Sequence, residues 1–477
     1  MPRLGDVGRK LGLRAGTAFA GAAVVGAGLT GAGPHRTVVR PAAGGDRTPV
    51  LSVRRVPGWI ETSAVDKQLT AKLPKVMAGL SKAAKSSCLV VRNGGQTAYA
   101  YRPLEPVTPA SNMKILTAIA VAAKLGTSTR ITTRVVAAGP VVHGVLHGNL
   151  YLVGGGDPVL RASSYVPSLG DREPAITSLP QLAGKVKKAG ITAIDGRVLG
   201  DGSLFDNQRR VSTWSLDYDP DDDVGPLGAL DVNDGFLPTK PFAASSDPAD
   251  MTAGVFARLL RAAGVKVGKG RFGTGTAPRS AHPVTSIQSP TVGDLLAEIL
   301  RVSDDTGTEL LTKLLGARFG GAGTTAAGTR VVRQELAHLG LPVGQLRNLD
   351  GSGLDTGDRV TCNLVADALQ EYGTHGPVFA GLPVAGRSGT LAGRMEGTVA
   401  AGRVHAKTGT LNTVAALSGW VMPAAGAKGA TPIIFSLITN GPGAEWLGVE
   451  AGNTVGVDLA TPPKGIPPRS AALPLGT

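Results

Sequence analysis

Cysteine is almost absent: the 477 residues include two, Cys88 and Cys362. Neither belongs to a CxxC pair, and the seven histidines form no HExxH or HxH spacing. Transition metals need such clustered thiolate and imidazole donors, so no metal site is legible and no cofactor is expected. Cys88 opens an apolar run, Cys88-Leu89-Val90-Val91, and reads as a core thiol. A disulfide with Cys362 stays open, because spacing alone cannot bring two cysteines together. Aromatic residues are also scarce, at 4%, so small aliphatic side chains must fill the cores. Acidic residues fall short of basic ones, 35 against 49, leaving a formal charge of +14. Such a balance favours polyanionic surroundings. No long Lys/Arg run is interleaved with aromatics, so a nucleic-acid partner is not expected.

What is present bounds the rest. The length exceeds one typical core and points to two or three domains. Gly (68) and Pro (33) make up about a fifth of the chain, below the ~25–30% at which disorder becomes the default reading. Arg3, Arg9, Lys10 and Arg14 precede an uncharged Ala/Gly/Val stretch over 15–33. That pattern reads as a signal peptide, with an uncleaved anchor as the alternative. Residues 34–58 read as a linker, and 462–477 as a Pro-rich tail.

Apolar spacing predicts a helix over 64–84, kinked or split at Pro74. Segments 88–91 and 97–101 flank Asn93-Gly94-Gly95, a hairpin signature. An apolar helix is predicted from Ser111 to Leu125, closed by Gly126. Helices follow over 251–263, 292–302, 309–319 and 330–339, and strands over 150–153, 198–200, 404–407, 414–421 and 433–439. The fold class read from this order is α+β. Residues 59–131 and 284–461 form one domain, interrupted by an inserted β-rich block over 132–283. Asp217 to Asp223 imitates a calcium loop, but Asp222 and Gly228 occupy the positions that need Gly and Glu. It reads as a solvated loop.

Three short motifs carry the chemistry: Ser111-Asn112-Met113-Lys114, Ser303-Asp304-Asp305 and Lys407-Thr408-Gly409. On a helix, residues three apart share a face, so Ser111 and Lys114 can present hydroxyl and amine to one another. Ser111 at a helix start also has a plainer reading, an N-cap. As a nucleophile it needs a base, and a lysine serves once burial or a second cation lowers its pKa. Lys407 is the candidate second cation, and Ser303 a proton relay to the leaving group. Lys407 to Thr410 fall on a strand, with Lys407 and Gly409 on one face and Thr408 and Thr410 on the other. Gly409 clears space for a substrate backbone along that edge. The amides of Ser111 and Thr410 are candidate oxyanion donors. Gly351-Ser352-Gly353 and Gly386-Arg387-Ser388-Gly389 each miss the GxSxG pattern and read as turns.

SxxK, SxN and KTG in this order resemble the D-alanyl-D-alanine carboxypeptidase/endopeptidase family, the class C low-molecular-mass penicillin-binding proteins. Gly148-Asn149-Leu150-Tyr151-Leu152-Val153-Gly154-Gly155-Gly156-Asp157-Pro158, Asp350-Gly351-Ser352-Gly353-Leu354 and the stretch 402–421 extend the resemblance to roughly 64–460. The resemblance implies a transpeptidase/β-lactamase-like helix–sheet–helix domain and an extracytoplasmic enzyme of peptidoglycan maturation. It would act on stem peptides through an acyl-serine and react with β-lactams as inhibitors. It makes Ser111 the nucleophile, Lys114 the base, Ser303 the relay and Lys407 an electrostatic organiser. Thr408 and Thr410 would bind the substrate carboxylate. Anionic wall polymers are a further partner that the positive charge allows.

One position departs from the pattern. Asp305 stands where the motif has Asn. An Asn amide donates to a substrate carbonyl, whereas a carboxylate only accepts. Reduced or altered activity is expected, with Asp305 pairing to Lys114 or Lys407. A weakly catalytic wall-binding homologue and a β-lactamase- or esterase-like hydrolase are the alternatives. The long insertion argues against a compact β-lactamase.

Overall fold

A computed structural model of the protein describes residues 66–162, 175–214, 224–237, 244–427 and 430–462. The expected signal (1–33), linker (34–58), acidic loop (217–223) and nearly all of the Pro-rich tail (462–477) lie outside the described residues.

The central sheet draws its strands from both ends of the chain. Strands β1 (Ser86–Asn93) and β2 (Gln96–Tyr101) form a hairpin whose turn residues Gly94 and Gly95 both have positive φ. Three later strands, labelled from the C-terminal half, complete the sheet: β8 (Val404–Leu411), β9 (Val414–Val421) and β10 (Ile433–Asn440). The order is β8-β9-β10-β1-β2, antiparallel throughout, with β8 at one edge.

Alternate residues of this sheet feed two different cores, as a period of two requires. Cys88, Val90, Ala416, Trp420, Ile434 and Ile438 face one core. Leu89, Val91, Leu417, Val421, Phe435 and Leu437 face the other. Helices α1 (Leu73–Ala83) and α9 (Ala444–Ala460) cover that second face. Pro74 sits in the first turn of α1, where its missing N–H costs nothing, and a separate helical turn precedes it at 66–70.

The first face packs on α2 (Met113–Leu125), with α5 (Val292–Val302), α6 (Asp305–Phe319), α7 (Thr325–His338) and α8 (Cys362–Tyr372) around it. Eleven of the thirteen residues of α2 are buried, so it is an interior helix rather than an amphipathic one. The result is a helix–sheet–helix sandwich of the α+β class.

Cys88 on β1 and Cys362 at the start of α8 form a disulfide between sheet and helical layer. Cys88 thus lies in the core as read, but as half of the disulfide that the sequence left open rather than as a free thiol. Both residues are fully buried, and a separation of 274 residues hid their proximity.

The middle of the chain builds a second sheet from β3 (Arg130–Ala138), β4 (Asn149–Val153), β5 (Val198–Asp201), β6 (Phe272–Thr274) and β7 (His282–Thr291), in the order β6-β5-β4-β3-β7. The antiparallel pair β3 and β7 brings the two ends of this segment together. Two helices pack on it, α3 (Leu179–Lys188) and α4 (Pro248–Ala262). The sequence reading gave no helix at α3, although Leu179, Leu182, Ala183 and Val186 are buried at helical spacing. One arm of the segment leaves its own core. Phe205, Val211, Trp214, Val224, Leu227 and Ala229 join the core around α2. The Lys313 amine on α6 donates to Asp206 (2.5 Å) and to the Gln208 carbonyl (2.7 Å) of that arm.

Candidate active site

The chain before α2 makes a 3-10 turn, Ala110–Asn112, and Ala110 has φ of 47°. A positive φ at a non-glycine residue is strained and signals a fixed local geometry. Ser111 follows it, and no side-chain cap bond closes either this turn or α2. The N-cap reading of Ser111 is thus corrected. Its hydroxyl instead accepts from the Lys114 amine at 2.8 Å, the pairing that the i,i+3 spacing allows.

Ser303 is also in the left-handed region, with φ of 63°. It ends α5, which a Thr291/Asp294 capping box begins, and Asp304 then caps α6 by accepting from the Gly307 amide at 2.8 Å. Two helices therefore meet at one residue, and Ser303 is held at their junction. Its hydroxyl accepts from the Lys407 amine at 2.8 Å. Lys407 also donates to the Thr408 carbonyl at 2.9 Å.

Lys114 has two further acceptors. One is Asp305 Oδ1 at 2.6 Å, and the other is the Ser352 carbonyl at 3.0 Å. Of the two partners foreseen for Asp305, the structure pairs it with Lys114. Both lysines are fully buried. Burial, and then the Lys114 cation, push the Lys407 amine well below an ordinary lysine value, against the opposing pull of Asp305.

Strand β8 approaches the Ser111 turn closely. A Cβ added at Gly409 would lie 3.1 Å from Asn112 Nδ2, from the Pro109 carbonyl oxygen and from the Ser111 amide nitrogen. Asn112 donates to the Lys407 carbonyl at 3.2 Å, which ties the first motif to the third. The Thr408 hydroxyl lies 2.8 Å from that of Thr390 and is buried, while Thr410 is exposed. The eight residues singled out in and beside the three motifs thus fall on the Ser111 turn, the first turn of α2, the α5–α6 junction or strand β8.

Several neighbours were missed. Asn112 lies inside the SxxK motif, yet its role is a contact with β8. Ser352 belongs to a segment read as a turn, and it contributes a backbone carbonyl that no side-chain pattern reveals. Thr390 carries no motif. Glu309 sits one turn beyond Asp305 on α6, fully buried, and accepts from the Gly351 amide (2.9 Å) and the Ser352 amide (2.8 Å). Ser388 accepts from the Val384 amide at 3.2 Å, in keeping with a turn.

Residues 69–242 and 233–456 match the family model described as "D-Ala-D-Ala carboxypeptidase 3 (S13) family". The chain belongs to the S13 family. It is 31% identical to a D-alanyl-D-alanine carboxypeptidase of Actinomadura sp. strain R39, over 73% of this chain and 76% of that protein. It is 26% identical to a carboxypeptidase of Mycobacterium tuberculosis, over 86% and 88% of the two chains. The crystal structure of penicillin binding protein 4 from Haemophilus influenzae has the same fold, with a TM-score of 0.67, 21% identity, and 81% of this chain and 99% of that one covered. This S13 protein is therefore a serine-type D-Ala-D-Ala carboxypeptidase. Among the described residues, no group of three or more His, Cys, Asp or Glu could hold a metal ion, and no helix is long and apolar enough to cross a membrane.

Proposed function

We propose that Ser111 is the nucleophile of this S13 enzyme and that Lys114 takes its proton. The observation that carries the reading is the pair of 2.8 Å bonds, Lys114 to Ser111 and Lys407 to Ser303, within one buried cluster. In this mechanism the Ser111 oxygen attacks the carbonyl carbon of the penultimate D-alanine, and its proton passes to the Lys114 amine. Ser303 relays a proton to the departing D-alanine nitrogen, the C–N bond breaks, and an acyl-serine remains. Water then adds to the acyl carbon and frees Ser111. The amides of Ser111 and Thr410 hold the oxyanion. Lys407 organises the site electrostatically, Thr408 and Thr410 receive the terminal carboxylate, and Gly409 admits the substrate backbone.

The substrates are peptidoglycan stem peptides, cut at terminal D-alanine or at D-alanyl cross-links. β-Lactams acylate the same serine; a solved structure of the Haemophilus protein is described as complexed with a β-lactam. The enzyme works outside the cytoplasm, and its +14 charge holds it to anionic wall polymers. Residues 59–131 and 284–461 form the catalytic domain, and 132–283 the inserted block.

A second reading rests on one contact. A Lys114 ammonium needs three acceptors, and it has them in Ser111, Asp305 and Ser352. With all three N–H groups donated, Lys114 cannot accept the Ser111 proton, so Asp305 favours a weakly catalytic wall-binding protein. Intact mass after incubation with a penicillin separates the two readings, with Ser111→Ala as control. An adduct lost in the control supports the enzyme. No adduct on the wild type favours the wall-binding protein.

A further inference from the structure

Glu309 is a buried acid that the mechanism above does not use. It lies on α6, four residues after Asp305, with no exposed surface. Its Oε1 accepts from the amides of both Gly351 and Ser352. The loop it grips is fixed from other sides too. Thr117 on α2 donates to the Gly351 carbonyl at 2.7 Å. Asp350 accepts from the Gly353 amide, the Asp355 amide and the Trp214 indole. The packing leaves no room for slack: a Cβ at Gly351 would sit 2.0 Å from Thr312 Oγ1, and one at Gly353 would sit 1.9 Å from the Ala110 carbonyl oxygen. One free end of this loop matters for chemistry, the Ser352 carbonyl, which accepts from Lys114 at 3.0 Å.

We propose that Glu309 is a positioning residue for the Lys114 amine, acting through the Gly351 and Ser352 amides to fix the Ser352 carbonyl. The inference rests on reading Ser111 and Lys114 as the acylating pair. Two of the three acceptors of Lys114 belong to the recognised motifs. The third is a main-chain oxygen whose place depends on a side chain 43 residues away in sequence from Ser352. Moving that oxygen would turn the amine away from Ser111. A shift of about 1 Å in such a contact costs as much as roughly a hundredfold in rate.

The charge state of Glu309 gives the proposal a signature. Burial and then the Asp350 carboxylate lift its carboxyl to about 8, against the bonds it accepts from the 351–352 loop. The charges that act on it are Asp350 on the loop and Lys313 on its own helix; Asp355 and Asp358 lie further along the loop, Asp305 one turn back on α6, and Lys114 on α2 donates to the Ser352 carbonyl. Glu298 with Arg301 on α5 and Glu335 on α7 are the buried charged groups of the other packed helices. Below pH 8 Glu309 is neutral, and a Gln amide oxygen would accept the same two bonds. Above it, the ionised carboxylate adds a negative charge behind the loop that carries the Ser352 carbonyl, and a negative charge disfavours the neutral, proton-accepting form of a nearby amine.

The test is the acylation rate of Glu309→Gln and Glu309→Ala by a penicillin from pH 6 to 9, with binding and thermal stability measured alongside. Glu309→Gln should acylate like the wild type near pH 6.5, and the ratio of wild type to Gln variant should fall as pH passes about 8. Glu309→Ala should acylate roughly ten- to a hundredfold more slowly with little change in initial binding. A flat ratio, or a normal rate in a folded Ala variant, would overturn the proposal. If the Ala variant does not fold, the Gln ratio still decides. If the wild type itself does not acylate, the functional reading fails separately. Titration of Lys114 by its 13Cε resonance then decides for Glu309: a curve that differs between wild type and Gln variant supports the proposal, and identical curves overturn it.

Discussion

The Lys114 amine lies 2.6 Å from Asp305 Oδ1, in a site where the lysine has no exposed surface. A carboxylate this close stabilises the ammonium and opposes proton uptake from Ser111. It also offers a substrate carbonyl no hydrogen to accept. Asp305→Asn should therefore raise the rate of acylation by penicillin, by about tenfold or more. The same change strips a buried cation of its counter-charge, so stability should drop by roughly 1–3 kcal/mol. Stopped-flow acylation and thermal melts of the two proteins check both signs. An unchanged or slower rate would rule out Asp305 as the brake.

Gly409 is where β8 meets the Ser111 turn. A methyl group there would stand 3.1 Å from two backbone atoms, the Pro109 oxygen and the Ser111 nitrogen, and neither can swing aside as a side-chain tip would. Gly409→Ala should push the edge strand away from the nucleophile and slow acylation by roughly tenfold or more. The rest of β8 keeps its ladder to β9, so the melting temperature should change little. Acylation at the wild-type rate would mean that the two elements separate without consequence.

Much of this fold is written in local pattern. The strand at 414–421 and the helix at 292–302 were legible residue for residue, because a continuous β-rich run buried at all eight positions and apolar residues at helical spacing mark them. Helix α6 starts four residues earlier than its apolar pattern suggests, because Asp304 caps it and Asp305 opens it. The α3 helix was passed over, with only ten residues and a proline near its start. The site divides the same way. Spacing alone allows the Ser111–Lys114 contact, since three residues on a helix fix it. No local rule could choose between Lys114 and Lys407 as the partner of Asp305, or supply the Ser352 carbonyl 238 positions from Lys114. Those contacts exist only once the α5–α6 junction and the 350–353 loop pack onto α2.

Asp304 links pH to stability. Burial, and then the Asp234 carboxylate of the inserted segment, lift it from 3.8 to about 7, against the Gly307 amide and Arg161. Between those values the folded protein keeps a proton that the unfolded chain releases. Its contribution to stability is thus greatest at acid pH and declines as pH rises from about 4 to about 7. Asp304→Asn removes the titration and keeps a side chain able to cap α6. Relative to wild type, the melting temperature of this variant should rise by about 1–3 °C between pH 5 and pH 8. An offset that stays constant over that range would mean that Asp304 ionises normally.

The bond between Cys88 and Cys362 joins an interior strand of the central sheet to the first residue of α8. It closes a loop of 274 residues that contains the whole middle segment and both helices of the Ser303 junction. A crosslink of that span restricts the unfolded chain strongly, and its loss should cost about 2–5 kcal/mol. Replacing both cysteines with serine would bury two hydroxyls where sulfur now packs, so the pair Cys88→Ala and Cys362→Ala isolates the crosslink better. That double variant should melt several degrees lower and still acquire the penicillin adduct, because neither sulfur touches Ser111, Lys114, Ser303 or Lys407. Thiol titration of the wild type after denaturation without reductant should find no free cysteine. Two free thiols per chain would show that the layers are held by packing alone.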